Sequence, residues 1–224
     1  MSVILESDPA PQFIARWKSS AAAERANYQL FLSELCDLIG VPRPNPTVAA
    51  DSQNSYVFER AVHFHNGDGT TSLGRIDLYK KSCFVLEAKQ GSDQIAVPAP
   101  AVRNRRGAAV RQTQGWDEAM LAARNQAERY AKAIPDGWPP FLITVDVGFS
   151  LELFADFSLT GENYAQFPDR NTYRILIDEL RSSETRQLLK DVWLDPLSLD
   201  PTRISARVTR RVASRLAELA HSSF

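Results

Sequence analysis

The chain has 224 residues, is 44% hydrophobic and carries a formal net charge of -1. That is enough for one sizeable core, and it excludes a polycation. No apolar run approaches the length of a membrane span, and the N-terminus lacks the basic and apolar regions of a signal peptide, so a cytoplasmic location is expected.

Residues 10 to 39 read as helix. Phe13, Trp17, Tyr28, Phe31, Leu32, Leu35, Leu38 and Ile39 recur at helical spacing, and Ser20 with Glu24 downstream suggests a new start. Gly40, then Pro42, Pro44 and Pro46, end it and open a loop to residue 54. Residues 55 to 64, about 73 to 79, and 83 to 89 read as three strands. They are joined by the Asn66-Gly67/Asp68-Gly69 turn and by Lys80-Lys81-Ser82, as an antiparallel meander. Cys36 and Cys83 sit in apolar segments and read as buried free thiols rather than as a disulfide.

Residues 91 to 114 form a long polar loop containing Arg103, Arg105, Arg106 and Arg111. A loop of this length within a domain is usually functional or disordered. Trp116 to Ile134 reads as helix, Phe141 to Val147 as a buried strand, and Leu151 to Phe154 as its antiparallel partner. After Ala155 the chain turns polar, with a helix predicted over 177 to 192 and a connector at Trp193-Leu194-Asp195-Pro196. Thr202 to Ala220 is amphipathic. Ile204, Val208, Val212, Leu216 and Leu219 form a stripe, and Arg203, Arg207, Arg210, Arg211 and Arg215 make the segment basic. The order predicts a mixed α/β core over 1 to 160, with 161 to 224 as connector and first helix of a spacer.

The segment richest in chemistry runs from Gly74 to Lys89. Asp77 lies in the second strand; Glu87 and Lys89 lie two apart in the third, on one face, opposite Leu86 and Ala88. Pairing through the Lys80-Ser82 turn brings Asp77 alongside the Glu87–Lys89 end. Two close carboxylates repel, and a hard divalent cation removes that cost by taking oxygen ligands from both. Such a cation polarises a phosphate, and a neighbouring lysine orients water or neutralises charge. On spacing alone, cross-strand salt bridges on a solvated face remain an alternative. The apolar Phe84-Val85-Leu86 run argues for a central strand.

The Asp, then Glu-x-Lys, hairpin resembles the motif of PD-(D/E)XK nucleases. The wider set of Tyr56-Val57-Phe58-Glu59-Arg60, Gly74 to Lys89, Gln126-Ala127-Glu128-Arg129-Tyr130 and Trp193-Leu194-Asp195-Pro196 resembles the N-terminal region of MmeI-like proteins. Those are single-chain restriction–modification enzymes with a nuclease, a helical spacer, an adenine methyltransferase and a target-recognition domain. The resemblance implies a restriction-endonuclease-like mixed sheet flanked by helices, with a helical C-terminal extension.

It also implies roles. Asp77 and Glu87 would bind Mg²⁺, with Mn²⁺ as an alternative, and Lys89 would assist the attacking water. Ile76 replaces the leading proline of the motif. Glu24 is a further candidate ligand, with an exposed helical glutamate as the other reading. Gln126 and Tyr130 resemble the Gln-x-x-x-Tyr pair of RecB-like nucleases; a core tyrosine with a surface glutamine is the alternative. Glu59 faces the site or pairs with an arginine, according to register.

Double-stranded DNA is the expected partner, held by phosphate contacts from Arg103, Arg105, Arg106 and Arg111. The resemblance implies methyltransferase and target-recognition domains outside this sequence, and pairing of two copies to cut both strands is left open. His63 and His65 share a strand face, but no third zinc ligand is evident. No P-loop and no Gly-rich methyltransferase motif occurs. The sequence therefore predicts a Mg²⁺-dependent DNA endonuclease module. The rival readings are an inactive nuclease-fold module for DNA binding or partner docking, and an adaptor built on the basic C-terminal helix.

Overall fold

A computed structural model describes residues 8–20, 24–65, 67–92 and 109–221, the side chains of 24–26, 216–217 and 220–221 excepted. Two N-terminal helices, α1 (Ala10–Ser19) and α2 (Glu24–Ile39), precede three strands, β1 (Tyr56–His65), β2 (Thr71–Lys80) and β3 (Phe84–Lys89). Helix α3 (Gln114–Ala133) follows, then β4 (Phe141–Asp146) and β5 (Ser150–Ala155), then two short strands, β6 (Ala165–Gln166) and β7 (Arg174–Leu176). Helices α4 (Ser183–Leu194) and α5 (Pro201–His221) close the chain.

The strands form one mixed sheet in the order β1-β2-β3-β4-β5-β6, with β7 also paired to β5. Of these strand pairs, β3–β4 is the parallel one among the described residues. Parallel neighbours need a crossover, which is α3 together with the long segment before it. Both central strands are covered on two faces, which explains why Phe84–Leu86 and Phe141–Ile143 are apolar without alternation.

On one face α1, α2 and α4 pack Phe13, Trp17, Phe31, Leu35, Val192 and Trp193 against Phe84, Leu86 and Phe141. Trp193 lies 4.5 Å from the Phe84 ring and donates its indole N–H to Tyr56 Oη at 3.2 Å. On the other face α3 packs Ala127, Tyr130 and Ala131 against Val62, Ile76, Val85 and Leu142. Helix α2 stops at Gly40, whose φ of +68° lets Val41 N–H return to Cys36 O at 2.9 Å.

The region after residue 160 differs from expectation. It supplies two strands to the sheet and α4 to the first core, so residues up to Trp193 pack with the nuclease-like core rather than as a connector. The predicted helix over 177 to 192 divides into a 3₁₀ turn (Ile177–Arg181) and α4, because Ser182 caps a fresh start by accepting from Glu184 N and Thr185 N. Helix α5 keeps its arginines and the stripe of Ile204, Val208, Val212 and Leu219 exposed. Among the described residues no helix is long and apolar enough to cross a membrane. Both cysteines are buried free thiols.

Candidate metal centre

Strands β2 and β3 pair antiparallel from their tight turn as far as Leu78 opposite Leu86. Beyond that point the Asp77 side chain takes over from the backbone ladder. Its Oδ2 accepts from Ala88 N–H at 2.7 Å, which ties it to the middle residue of Glu87-Ala88-Lys89. A carboxylate gripped by a main-chain N–H is held in place.

On the other side of β2, the register leaves Glu59 of β1 opposite Asp77, between the pairs Phe58–Leu78 and Arg60–Ile76. Glu59 has φ +54°, a left-handed backbone inside a strand. Both strands exchange faces here. Tyr56 and Phe58 pack into the α1/α2/α4 core while Val62 and Phe64 pack into the α3 core, and Leu78 and Ile76 divide in the same way. The Glu59 carboxylate accepts from Tyr28 Oη on α2.

Glu87 sits deepest, with its side chain 1% exposed. Its Oε1 is buried without a hydrogen-bond partner. Its Oε2 lies 3.7 Å from Lys89 Nζ, and the Lys89 side chain is 32% exposed, so the ammonium reaches toward solvent. Burial pushes the Glu87 carboxyl up to about 9, Asp77 adds to the rise, Lys89 opposes it and Glu59 adds a smaller push.

Three of the expected site residues thus meet: Asp77, Glu87 and Lys89. Glu24 opens α2, but its side chain lies outside the described residues. Gln126 and Tyr130 do face each other, Nε2 donating to Oη at 3.2 Å. The Tyr130 ring stacks on Phe64 and lies over Gly74, where a Cβ would come within 2.6 Å of it. That places the pair three residues along β2 from Asp77, above a glycine required by close approach. His63 and His65 are exposed on β1, and among the described residues no group of three or more His, Cys, Asp or Glu side chains is arranged to hold an ion.

Of the four loop arginines, Arg103, Arg105 and Arg106 lie outside the described residues. Arg111, expected to contact DNA, instead turns inward, its side chain 9% exposed. It forks onto Asp146, with Nε to Oδ2 at 2.9 Å and Nη2 to Oδ1 at 2.8 Å. Trp116 Nε1 and Gly91 N–H also donate to that carboxylate, at 2.8 and 2.9 Å. Asp146 is the β4 partner of Lys89. Ser92 and Val110 form a bridge beside this knot, so both ends of the long loop are fastened next to the Lys89 end of β3. The sequence offered one sign of this: an aspartate inside the apolar run Phe141 to Val147 cannot be buried without donors.

The donor set suits a hard divalent cation. Such an ion takes oxygen ligands, often only one or two carboxylates, and completes its shell with water. The orphaned Glu87 oxygen is one of four buried side-chain atoms without a hydrogen-bond partner among the described residues, with Arg60 Nε, Gln90 Oε1 and Ser150 Oγ. No curated protein and no solved structure matches the chain. The family described as MmeI, N-terminal domain, matches residues 8–222. The chain therefore belongs to the family of MmeI N-terminal domains, which associates it with a region of restriction–modification enzymes.

Proposed function

We propose that this domain is the Mg²⁺-dependent, DNA-cutting module of a restriction–modification or phage-defence enzyme. The observation that carries the reading is the buried Glu87 carboxyl, one oxygen unpartnered, beside Asp77 and Lys89 at the point where β2 and β3 part.

Asp77 and Glu87 would hold the ion, with Asp77 oriented by Ala88 N–H. When bound, the cation supplies Lewis-acid polarisation of the phosphate and neutralises charge at the transition state. The Lys89 side chain is 32% exposed and reaches solvent. From there its ammonium can hold the attacking water in line or pair with a non-bridging phosphate oxygen. The water oxygen bonds to phosphorus and gives up a proton to solvent, the phosphorus–sugar-oxygen bond breaks, and the leaving oxygen takes up a proton from solvent. Arg103, Arg105 and Arg106 would supply backbone contacts that position DNA without reading sequence.

Metal-dependent nicking or linearisation of plasmid DNA by the whole enzyme tests the reading. Asp77→Ala, Glu87→Ala and Lys89→Ala should each abolish cleavage while DNA retention persists; full activity in all three sinks the proposal. One observation favours a second reading, a catalytically silent docking module: Lys89 lies near enough to neutralise Glu87 without an ion. Calorimetric titration with Mn²⁺ separates the two, because the silent module binds none.

A further inference from the structure

Glu59 combines three features that a strand residue rarely shows together. Its backbone is left-handed at φ +54°, although it is neither glycine nor asparagine. It lies opposite Asp77 at the position where β1 and β2 both change faces. Its carboxylate is aimed by a hydrogen bond from Tyr28, a buried residue of a different element. A left-handed glutamate inside a strand is costly, and such strain persists where the surrounding structure imposes it. A glycine would occupy this backbone more easily.

The neighbouring cluster contains a buried carboxylate oxygen with no partner, on Glu87. Among the described residues no three acidic side chains are set to ligate one ion, and the Glu59 carboxylate is already engaged by Tyr28. We propose that Glu59 is an outer-shell carboxylate of the metal centre. It accepts hydrogen bonds from the hydration waters of the ion held by Asp77 and Glu87, and Tyr28 fixes the orientation of its carboxylate. The inference rests on the metal-centre reading above and adds a residue and a function to it. Glu59 is a positioning residue: it touches neither the phosphate nor the ion.

The arrangement gives Tyr28 a purpose as well. A phenol hydrogen-bonded to a carboxylate pins its rotamer, as outer-shell donors pin metal-ligating groups elsewhere. Helix α2 thereby reports its own packing to the site. Phe58, the residue before Glu59, meets the Tyr28 ring edge to face at 6.1 Å, so the same contact supports both the tyrosine and the twisted strand.

The test is calorimetric titration of the domain with Mn²⁺ for the unmodified chain, Glu59→Gln, Tyr28→Phe and Asp77→Asn, together with metal-free thermal melts. Glu59→Gln retains an acceptor for Tyr28 and removes only the charge. It should keep the stoichiometry and weaken affinity by about 10-fold, the lower end for outer-shell partners. Its metal-free melting temperature should equal or exceed that of the unmodified chain, because the negative charge opposite Asp77 is gone. Tyr28→Phe should weaken affinity by a smaller factor. A purely structural glutamate predicts the reverse, a lower melting temperature with unchanged affinity, and that result overturns the proposal. Unchanged affinity in Glu59→Gln while Asp77→Asn loses binding overturns the proposal alone. Absence of Mn²⁺ binding by the unmodified chain overturns both this proposal and the metal-centre reading.

Discussion

Glu87 on β3 and Asp146 on β4 are buried carboxylates two ladder positions apart on neighbouring parallel strands, and the protein treats them in opposite ways. Asp146 receives two bonds from Arg111, one from the Trp116 indole and one from Gly91 N–H. Glu87 has one oxygen without any donor and the other 3.7 Å from a lysine. Glu152 on β5 follows the Asp146 pattern, with Thr144 Oγ1 and Arg174 Nε as donors at 3.0 and 2.7 Å. A buried carboxylate whose donors all come from the chain is structural. One left short of donors in the same sheet is where the proposed ion would supply the missing partner.

The comparison breaks most easily at Asp146. Asp146→Ala removes the counter-charge of Arg111, which remains enclosed, and leaves the Trp116 and Gly91 donors unanswered. Removing one partner of a buried pair costs about 3–5 kcal/mol. Chemical denaturation should show a loss of that size, with the loop root at Ser92 and Val110 gaining hydrogen exchange first. A loss below about 1 kcal/mol, the range of exposed ion pairs, would mean that the knot contributes no more than a surface contact.

Glu87→Gln should act in the opposite direction. The Glu87 carboxyl is raised from an ordinary 4.5 to about 9, so the folded protein holds a proton that the unfolded chain releases. Metal-free stability should therefore fall as pH rises from about 4.5 toward 9 and level off above that. The amide cannot ionise, so the variant should flatten this slope. It should match the unmodified chain near pH 5 and exceed it by a growing margin as pH rises toward 9. Binding of Mn²⁺ should tighten with rising pH in the unmodified chain, because the ligand must lose its proton. A metal-free slope of opposite sign would mean that the folded protein does not hold the Glu87 proton.

How much of this was legible from residues depended on distance along the chain. The β1–β3 meander shows in the spacing of its turns, and a three-residue link between β2 and β3 sets Asp77 beside Glu87-Ala88-Lys89 almost by counting. Helix α3 shows because its apolar face repeats for five turns. Strands β6 and β7, two and three residues long, carry no alternation to read, so the region after 160 looked like a connector. Arg111 looked like one more basic loop residue, because its partner lies 35 positions away in a run that reads as apolar. Glu59 could be seen as acidic but not as left-handed, since no local rule predicts a positive φ for glutamate within a strand.

The smallest effect concerns how the Asp146 knot is assembled. Thr113 caps α3 by accepting from Trp116 N–H at 3.4 Å, and the same tryptophan sends its indole N–H to Asp146. The cap therefore sets the starting angle of the helix that delivers one of the four bonds. Thr113→Ala should cost about 1 kcal/mol, an ordinary capping loss, if Arg111 and Gly91 hold Asp146 independently of the helix start. Combining it with Trp116→Phe in a double-mutant cycle measures the dependence. Additive losses mean that the cap and the knot are separate devices. A coupling above about 0.5 kcal/mol means that the helix start belongs to the clamp. In that case the clamp spans β3, β4, the loop root and α3 as one unit, and Glu87 stands beside it as the neighbouring carboxylate left without a full set of donors.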